Sequence, residues 1–315
     1  MKAVIVNDFR AEPELAELPT PEPGPGEVLV RLHAAGLNPF DWKVADGALK
    51  DVVPHSFPLV LGSDGAGLVV KVGLGVTRYR EGDRVYGQFM QLPQGQGSYS
   101  EFTLVDQDGK LALIPDELDY PLAAALPTAG VTAYQAVEAA DLSDGQTLLI
   151  NGASGGVGQS AIQFAARLGA RVLATGTADV AEYLRELGAH TVIDFTEAPT
   201  HEQVAAAYPE GIDAVLDLVT PAGGDIDAVT RLVRDGGTVV STNHATDPET
   251  LKERGVQGVN LADNPTPETL KELARLAANG ELRVRIEQTV PLLGAPEAVA
   301  NARAGHARGK TVILP

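Results

Sequence analysis

The stretch TLLINGASGGVGQSAIQFAARLGARVLAT, residues 147–175, indicates the fold class because its pattern predicts a strand, a glycine-rich turn, a helix and a second strand. The first strand ends at Ile150, the helix begins near Val157, and Gly169 stops the helix. Glycines allow close approach to the backbone, and a helix N-terminus offers unpaired N–H groups. We therefore expect the turn to hold a dinucleotide pyrophosphate. The residues expected to contact it are Gly152, Ser154, Gly155, Gly156, Val157 and Gly158.

The spacing of these glycines is G-x-x-G-G-x-G, which differs from the plain G-x-G-x-x-G of dinucleotide-binding folds. The alternative is a tight turn between strand and helix that binds nothing. The strand, the helix and the next strand all fall where the motif requires them, which favours a binding turn.

The chain falls into parts with different patterns. Its 315 residues exceed the roughly 250–300 at which a single core stops growing. Residues 1–120 contain short strand-like runs between glycine and proline turns, which predicts a β-rich domain. Residues 121–280 alternate apolar strands with helical stretches, which predicts a doubly wound parallel sheet of six strands, and 281–315 is expected to return to the first domain. The predicted class is α/β.

Composition excludes several classes of function. Lys and Arg number 24 against 42 Asp and Glu, and a formal charge of −18 disfavours nucleic-acid and anionic-membrane partners. There is no cysteine, which excludes disulfides and cysteine-ligated metal. The N-terminal stretch is too polar for a signal peptide, and no run approaches the ~20 apolar residues of a membrane span. We expect a cytoplasmic protein that acts on a small molecule.

The tip of the second strand bears on the choice of cofactor. NAD sites normally place an acid there, whereas this strand ends in Thr175, Gly176 and Thr177, which we expect to contact the cofactor. Asp179 follows, but with Glu182 it also fits a D-x-x-E helix cap. No Lys or Arg stands at the tip to bind a 2′-phosphate.

Several motifs together resemble a known family. They are AAGLNPFDWK, FPLVLGSDGAGLVVKVGLGV, EGDRVYG, GSYSEF, ALPTAGVTAYQAV and the glycine-rich stretch, in this order. The chain resembles the zinc-independent quinone oxidoreductase branch (zeta-crystallin-like) of the medium-chain dehydrogenase/reductase superfamily over essentially its whole length. The resemblance implies a GroES-like catalytic domain formed by both chain ends around a Rossmann domain.

The resemblance also implies chemistry without a metal. Zinc-dependent members carry a Cys where this chain has Asn38, a His where it has Ser63, and another Cys near 126–127. None of these positions offers a thiolate or an imidazole here. The activity implied is hydride transfer from nicotinamide C4 to a quinone or an α,β-unsaturated carbonyl, with positioning supplying most of the catalysis.

The resemblance, the residue types and the carboxyl edge of the predicted sheet together suggest which residues form the site. The catalytic candidates are Asn38, Asp41 and Tyr86; the substrate-pocket candidates are Trp42, Phe89 and Tyr99; the further cofactor candidates are Thr132, Asn243 and Lys310. Each has a structural alternative. Asn38 fits a turn before proline, Asp41 fits a helix cap, the aromatic residues fit a domain core, and Thr132 fits an N-cap or helix packing.

NADPH is favoured over NADH by the resemblance and by the missing strand-tip acid, although the basic residue that many members carry after strand two is absent. Two other functions stay open. A 2-enoyl thioester reductase would need a basic patch for coenzyme A, and a cofactor-binding redox sensor would need little turnover. The last Rossmann strand, VQGVNLA at 256–262, is expected to pair with a second copy in a homodimer.

Overall fold

The computed structural model describes residues 1–305 and 309–315. They form two compact units, residues 1–128 with 265–315, and residues 129–264. The sequence placed these boundaries at 120 and 280. The segment 265–280 lies in the first unit because its helix packs on that unit, where the Tyr86 hydroxyl donates to the Leu270 carbonyl.

The strands follow one another along the whole chain. They are β1 (Lys2–Val6), β2 (Glu14–Glu17), β3 (Glu27–Gly36), β4 (Leu59–Val60), β5 (Asp64–Val72), β6 (Arg84–Gln88), β7 (Phe102–Asp106), β8 (Leu111–Leu113), β9 (Thr147–Asn151), β10 (Arg171–Thr175), β11 (Thr191–Ile193), β12 (Ile212–Asp217), β13 (Val233–Ser241), β14 (Gln257–Asn260), β15 (Ile286–Pro291) and β16 (Lys310–Leu314).

The helices are concentrated in the second half. They are α1 (Pro39–Ala45), α2 (Tyr120–Ala124), α3 (Pro127–Ala139), α4 (Gly156–Arg167), α5 (Ala181–Glu186), α6 (Thr200–Ala207), α7 (Asp227–Thr230), α8 (Pro248–Glu253), α9 (Pro267–Ala278) and α10 (Ala295–Arg303). Among the described residues, no helix combines the length and apolar character needed to cross a membrane.

The first unit is built around β3. A seven-stranded sheet has the order β15-β16-β3-β5-β6-β8, with β7 also paired to β3, and a three-stranded sheet has the order β2-β1-β4. Val28, Val30 and Leu32 of β3 lie in one of its hydrophobic cores. The chain end joins this sheet through β16, whose Val312 and Ile313 face Gly36 and Ala35 at the end of β3. This pairing brings the start of β16 beside the start of α1.

The second unit confirms the predicted doubly wound sheet. Its six strands have the order β11-β10-β9-β12-β13-β14, and every pairing is parallel. The order reverses between β9 and β12, which is the point where such sheets bind ligands at their carboxyl edge. The register places Asn151, Asp217, Ser241 and Asn260 in one row at that edge. Helix α4 follows β9 directly in sequence, so it begins at this reversal point.

Candidate functional site

The glycine-rich turn joins β9 to α4 at the reversal point of the second unit. Gly155 is the N-cap of α4, with φ −77° and ψ 171°, and it has no side chain with which to cap the helix. The first-turn N–H groups, which begin at Gly156 and Val157, therefore point out of an uncapped helix end. The carbonyl of Ser154 accepts from the Gln159 side chain at 2.6 Å, which braces the turn.

The individual glycines of this turn serve different purposes. A Cβ on Gly158 would lie 2.5 Å from Ala153 Cα and from the Gly152 carbonyl, and Gly152 itself has a φ of +92°. The fold therefore needs both of these glycines. A Cβ on Gly155 would meet only the Gly152 oxygen at 3.7 Å, and the φ of Gly155 suits any residue. The bare backbone at Gly155 thus leaves room that the protein itself does not fill.

Thr175 at the end of β10 holds the turn in place. Its hydroxyl accepts from the Gly152 N–H at 2.8 Å and lies 3.3 Å from the Ile150 carbonyl. A Cβ on the next residue, Gly176, would lie 2.8 Å from a Leu184 methyl of α5. These two residues position the glycine-rich turn and α5, and a direct cofactor contact by either stays a prediction.

The segment after β10 differs from the expected helix cap. The N-cap of α5 is Val180, and it makes no side-chain cap hydrogen bond, so the D-x-x-E cap expected of Asp179 is wrong. Asp179 instead accepts from the Thr177 hydroxyl at 2.5 Å. Its charge also acts on Asp194, whose pKa is lowered mainly by hydrogen bonds from Thr196. A second carboxylate, that of Asp194, therefore lies close enough to Asp179 for their charges to interact.

The carboxyl edge of the sheet contains an acid that sequence reasoning missed. Asp217 ends β12 and is fully buried, and its Oδ1 accepts from the Asn151 amide at 2.9 Å. Within the described residues its Oδ2 has no hydrogen-bond partner. The predicted Asn243 lies nearby and donates to the Leu218 carbonyl at 3.1 Å. An acid ending the apolar run DAVLDL was the signal for Asp217.

Thr132 lies inside α3 and is 7% exposed. Because α3 begins at Pro127, the N-cap alternative for Thr132 is excluded. Helix packing and a cofactor contact both stay open for this residue.

A buried polar cluster lies in the first unit where β3 ends and α1 begins. We define it by Asn38, Asp41, Asp64, Tyr99, Thr128 and Lys310. Apart from the half-buried Thr128, these residues are at most 4% exposed. Asn38 is the N-cap of α1, with proline following it at the first helical position, so its backbone geometry follows from the NPFD sequence.

Asp41 joins three segments of the first unit. Its Oδ2 accepts from the Asn38 N–H at 2.8 Å and from the Tyr99 hydroxyl at 2.6 Å. Its Oδ1 accepts from the Ser63 N–H at 2.9 Å. The bond to Asn38 closes the first turn of α1, as the cap alternative for Asp41 expected.

Asp64 and Lys310 contact opposite ends of the Asn38 side chain. The Lys310 ammonium donates to Asn38 Oδ1 at 2.5 Å and to the Leu37 carbonyl at 2.8 Å. The Asn38 amide also hydrogen-bonds the Asp64 carboxylate, and its Nδ2 lies 3.3 Å from the Gly36 carbonyl. Since an amide has two N–H donors, both are engaged within the unit.

Burial dominates the electrostatics of this cluster. It raises the pKa of Asp41 to about 7, against hydrogen bonds from Tyr99 and Asn38 and the charge of Lys310. Burial likewise raises the pKa of Asp64 and lowers that of Lys310. The pKa of Tyr99 is raised by burial and by the adjacent Asp41, so its phenol stays protonated as a donor.

The predicted aromatic residues lie mainly in cores. Phe89 and Tyr99 are fully buried members of two hydrophobic clusters, and Trp42 packs on the cluster that contains Tyr99. The ring of Tyr86 is also fully buried, and its hydroxyl donates to the Leu270 carbonyl of α9. These contacts favour the core alternative for Phe89 and Tyr99, while the catalytic role of Tyr86 stays a prediction.

Sequence reasoning named four members of this cluster but distributed them among three roles. The structure brings Asn38, Asp41, Tyr99 and Lys310 together, and it adds Asp64 and Thr128, which hydrogen-bond each other. An acid inside the glycine-rich motif LGSDGAG was the available signal for Asp64. Lys310 was expected at the cofactor; its hydrogen bonds within the unit are with Asn38 and Leu37, and a cofactor contact stays a prediction.

Comparison with known proteins extends over the whole chain. Residues 24–116 match the family described as alcohol dehydrogenase GroES-like domain, and residues 187–313 match the family described as zinc-binding dehydrogenase. A chloroplast envelope quinone oxidoreductase homolog of Arabidopsis thaliana is 34% identical, with 96% of this chain and 94% of that protein covered. An NADPH-dependent alkenal/one oxidoreductase of the same plant is 30% identical, with 100% and 80% covered.

Solved structures show the same likeness. The quinone oxidoreductase from Coxiella burnetii superposes with a TM-score of 0.89 at 31% identity, covering 100% of this chain and 99% of the other. The GroES-like and Rossmann architecture expected from the sequence is thereby confirmed.

One matching family is described as zinc-binding, so we asked whether the side chains of this protein could hold zinc. Within residues 1–305 and 309–315, no group of three His, Cys, Asp or Glu side chains is arranged to hold a metal ion. The buried polar cluster offers an amide and an ammonium beside its carboxylates, and the ammonium would repel a cation. The donor set of this cluster does not fit zinc.

Proposed function

Because the chain belongs to the quinone oxidoreductase branch of the medium-chain dehydrogenase/reductase superfamily, we propose that it transfers hydride from NADPH to quinones or α,β-unsaturated carbonyls without a metal. The observation that carries this proposal is the vacant space beside Gly155, at an uncapped helix end on the reversal point of a doubly wound sheet. The fold does not use that space, and a dinucleotide pyrophosphate fits its chemistry.

Residues of the second unit would hold the cofactor. The first-turn N–H groups of α4 would bind the pyrophosphate at the positive end of the helix dipole. Thr175 positions the turn through its bond from the Gly152 N–H, and Thr177, just after the end of the strand, would contact the adenosine half. Asn243 and Thr132 would contact the nicotinamide half. When bound, the cofactor supplies a hydride from its nicotinamide C4.

Two observations bear on the choice of NADPH. One relative is named NADPH-dependent, and the strand itself ends without an acid. The Asp179 carboxylate beside Thr177 acts in the opposite direction because it repels a 2′-phosphate. A higher kcat/KM with NADPH than with NADH supports the proposal, and a clear NADH preference overturns its cofactor part.

The acceptor class follows from the donor set. Without a Lewis-acid metal, the site must stabilise a developing oxyanion by hydrogen bonds and must position an acceptor that takes hydride readily. Quinones and enones meet this requirement, and relatives are named for both. Asn38 and Asp41 organise this site, and Trp42 contributes a partly buried ring at its edge.

A substrate panel tests the proposed reaction. Purified protein is given NADPH and either a naphthoquinone, a small enone or crotonyl-CoA, and cofactor oxidation is followed by absorbance. We expect saturable turnover of the first two classes. Preferential turnover of crotonyl-CoA would make the protein a thioester reductase, and tight NADPH binding with no turnover would make it a sensor.

We also propose a homodimer formed through β14. This strand is the last in the six-stranded sheet and pairs with β13 on one side. An open strand edge can pair with a second copy across a twofold axis. Light scattering at micromolar concentration should give the dimer mass, and a monomer mass would contradict the proposal.

A further inference from the structure

Lys310 is an unusual residue to find in the interior. It is 4% exposed, and its ammonium donates to the Asn38 side-chain oxygen and the Leu37 carbonyl. Both acceptors are neutral, so neither hydrogen bond compensates the positive charge of the ammonium. A buried ammonium is costly unless opposite charges lie nearby.

Those opposite charges come from two other elements. Asp41 on α1 and Asp64 on β5 are both fully buried, and the charge of Lys310 acts on each of them. Among the described residues, the phenols of Tyr99 and Tyr86 also interact with these carboxyl groups, and burial raises the pKa of each phenol, so both stay neutral. The cluster thus combines one cation with two carboxyl groups, and it is neutral when one of the two is protonated.

We propose that Lys310 is the built-in cation of this cluster, a positioning residue whose ammonium balances the buried carboxyl groups and fixes the amide of Asn38. The ammonium can only donate, so it must face Oδ1 of Asn38. The amide nitrogen is thereby directed toward the Asp64 carboxylate. One charge therefore sets the orientation of a side chain that lies 272 residues away in sequence.

The hydrogen bonds to the two carboxyl groups of the cluster come from different donors. Asp64 accepts from the Thr128 N–H at 3.0 Å and from its hydroxyl at 2.7 Å, while Asp41 is held by Tyr99, Asn38 and Ser63. Each carboxyl group has its own fixed donors, and Lys310 acts on both through space. Removing the ammonium leaves two buried carboxyl groups with no cation in the cluster.

The test compares K310M with K310R and with the double variant K310M/D64N. Unfolding temperature is measured across neutral pH, with the surface variant K71M as a matched control, since Lys71 is exposed and pairs with Glu22. We expect K310M to lose stability more steeply than wild type as pH rises, because both carboxyl groups then ionise without a cation. K310R should retain most of the wild-type behaviour, and D64N should remove most of the added slope from K310M.

Two results would overturn the inference. One is a K310M profile parallel to wild type, and the other is an added slope that D64N leaves unchanged. If K310M does not fold, the single variant D64N tests the proposal. Its unfolding temperature should fall less steeply with pH near neutrality than that of the wild type, and an equal slope would contradict the charge balance.

The expected effect of Lys310 on catalysis rests on the proposed function, and it is measured separately from stability. K310M should lower kcat for quinone reduction about tenfold with a cofactor Kd within about twofold of wild type. A large rise in Kd with kcat preserved would make Lys310 a cofactor ligand instead. Absence of turnover by the wild-type protein would refute the proposed reaction but leave the stability result standing.

Discussion

The Lys310 ammonium lies 2.5 Å from Oδ1 of Asn38, and both side chains are buried. This contact joins the first residue of β16 to the N-cap of α1. The side chain that the sequence suggested as catalytic is therefore held by a charge from the other end of the chain. The side chain of Asn38 is held by hydrogen bonds to Lys310 and to Asp64.

Replacing Asn38 by alanine should lower kcat about tenfold, an effect of about 1.4 kcal/mol on the barrier. Alanine gives Lys310 no side-chain acceptor and leaves Asp64 without the amide donor. Cofactor Kd should change little, because the pyrophosphate turn belongs to the second unit. The matched control is Asn7→Ala, which removes an exposed asparagine bonded to Glu14. A wild-type kcat in Asn38→Ala would remove this residue from the site.

Stability should decrease as pH rises toward neutrality. Burial raises the pKa of Asp41 from 3.8 to about 7, so between these values the folded protein binds a proton that the unfolded chain has released. Raising pH through this window therefore destabilises the fold, by at most about 4 kcal/mol.

The variant Asp41→Asn isolates this contribution. Urea unfolding of wild type and variant across the window should show a smaller decrease for the variant, whatever its absolute stability. Equal decreases in the free energy of unfolding of the two proteins would show that Asp41 is ionised in the folded state throughout this pH window.

Paired alanine variants separate the roles of the glycines. Gly158→Ala places a Cβ 2.5 Å from backbone atoms and should lower the free energy of unfolding by roughly 2–3 kcal/mol. Gly155→Ala meets only one atom at 3.7 Å and should leave stability nearly unchanged while weakening NADPH binding at least about tenfold. Calorimetry and thermal unfolding measure both quantities. Wild-type cofactor affinity in Gly155→Ala would place the pyrophosphate elsewhere.

The Asp179 carboxylate should oppose NADPH. Asp179→Asn removes a negative charge beside Thr177 and should raise the ratio of kcat/KM for NADPH to that for NADH roughly fivefold, the effect of about 1 kcal/mol. The gain should shrink at high salt, because exposed charges are screened. The matched control is Asp247→Asn, an exposed N-cap acid of α8. An unchanged ratio would mean that the 2′-position lies away from Asp179.

Local patterns were sufficient to predict the parallel sheet of the second unit. The strand, the glycine-rich turn and α4 lie within 147–167, so spacing and turn chemistry determine them together. The D-x-x-E cap failed because α5 starts after Val180, and Asp179 found a nearer partner in Thr177. Short-range rules cannot rank two such competing contacts.

The polar cluster could not be assembled from sequence because its contacts are long-range. Lys310 and Asn38 are 272 residues apart, and Tyr99 and Asp41 are 58 apart. The first pair depends on the antiparallel pairing of β16 with β3, for which neither segment carries a specific signal. Burial of Phe89 and Tyr99 likewise follows from sheet packing that an aromatic residue in isolation does not indicate.

The reaction we propose is metal-free, NADPH-dependent reduction of quinones and enones. The most direct measurement is kcat/KM for NADPH oxidation by a naphthoquinone before and after exhaustive treatment with a chelator, with metal content measured on the same samples. We predict saturable turnover that is unchanged in metal-free protein. Turnover that disappears with the metal and returns on adding zinc would contradict the account.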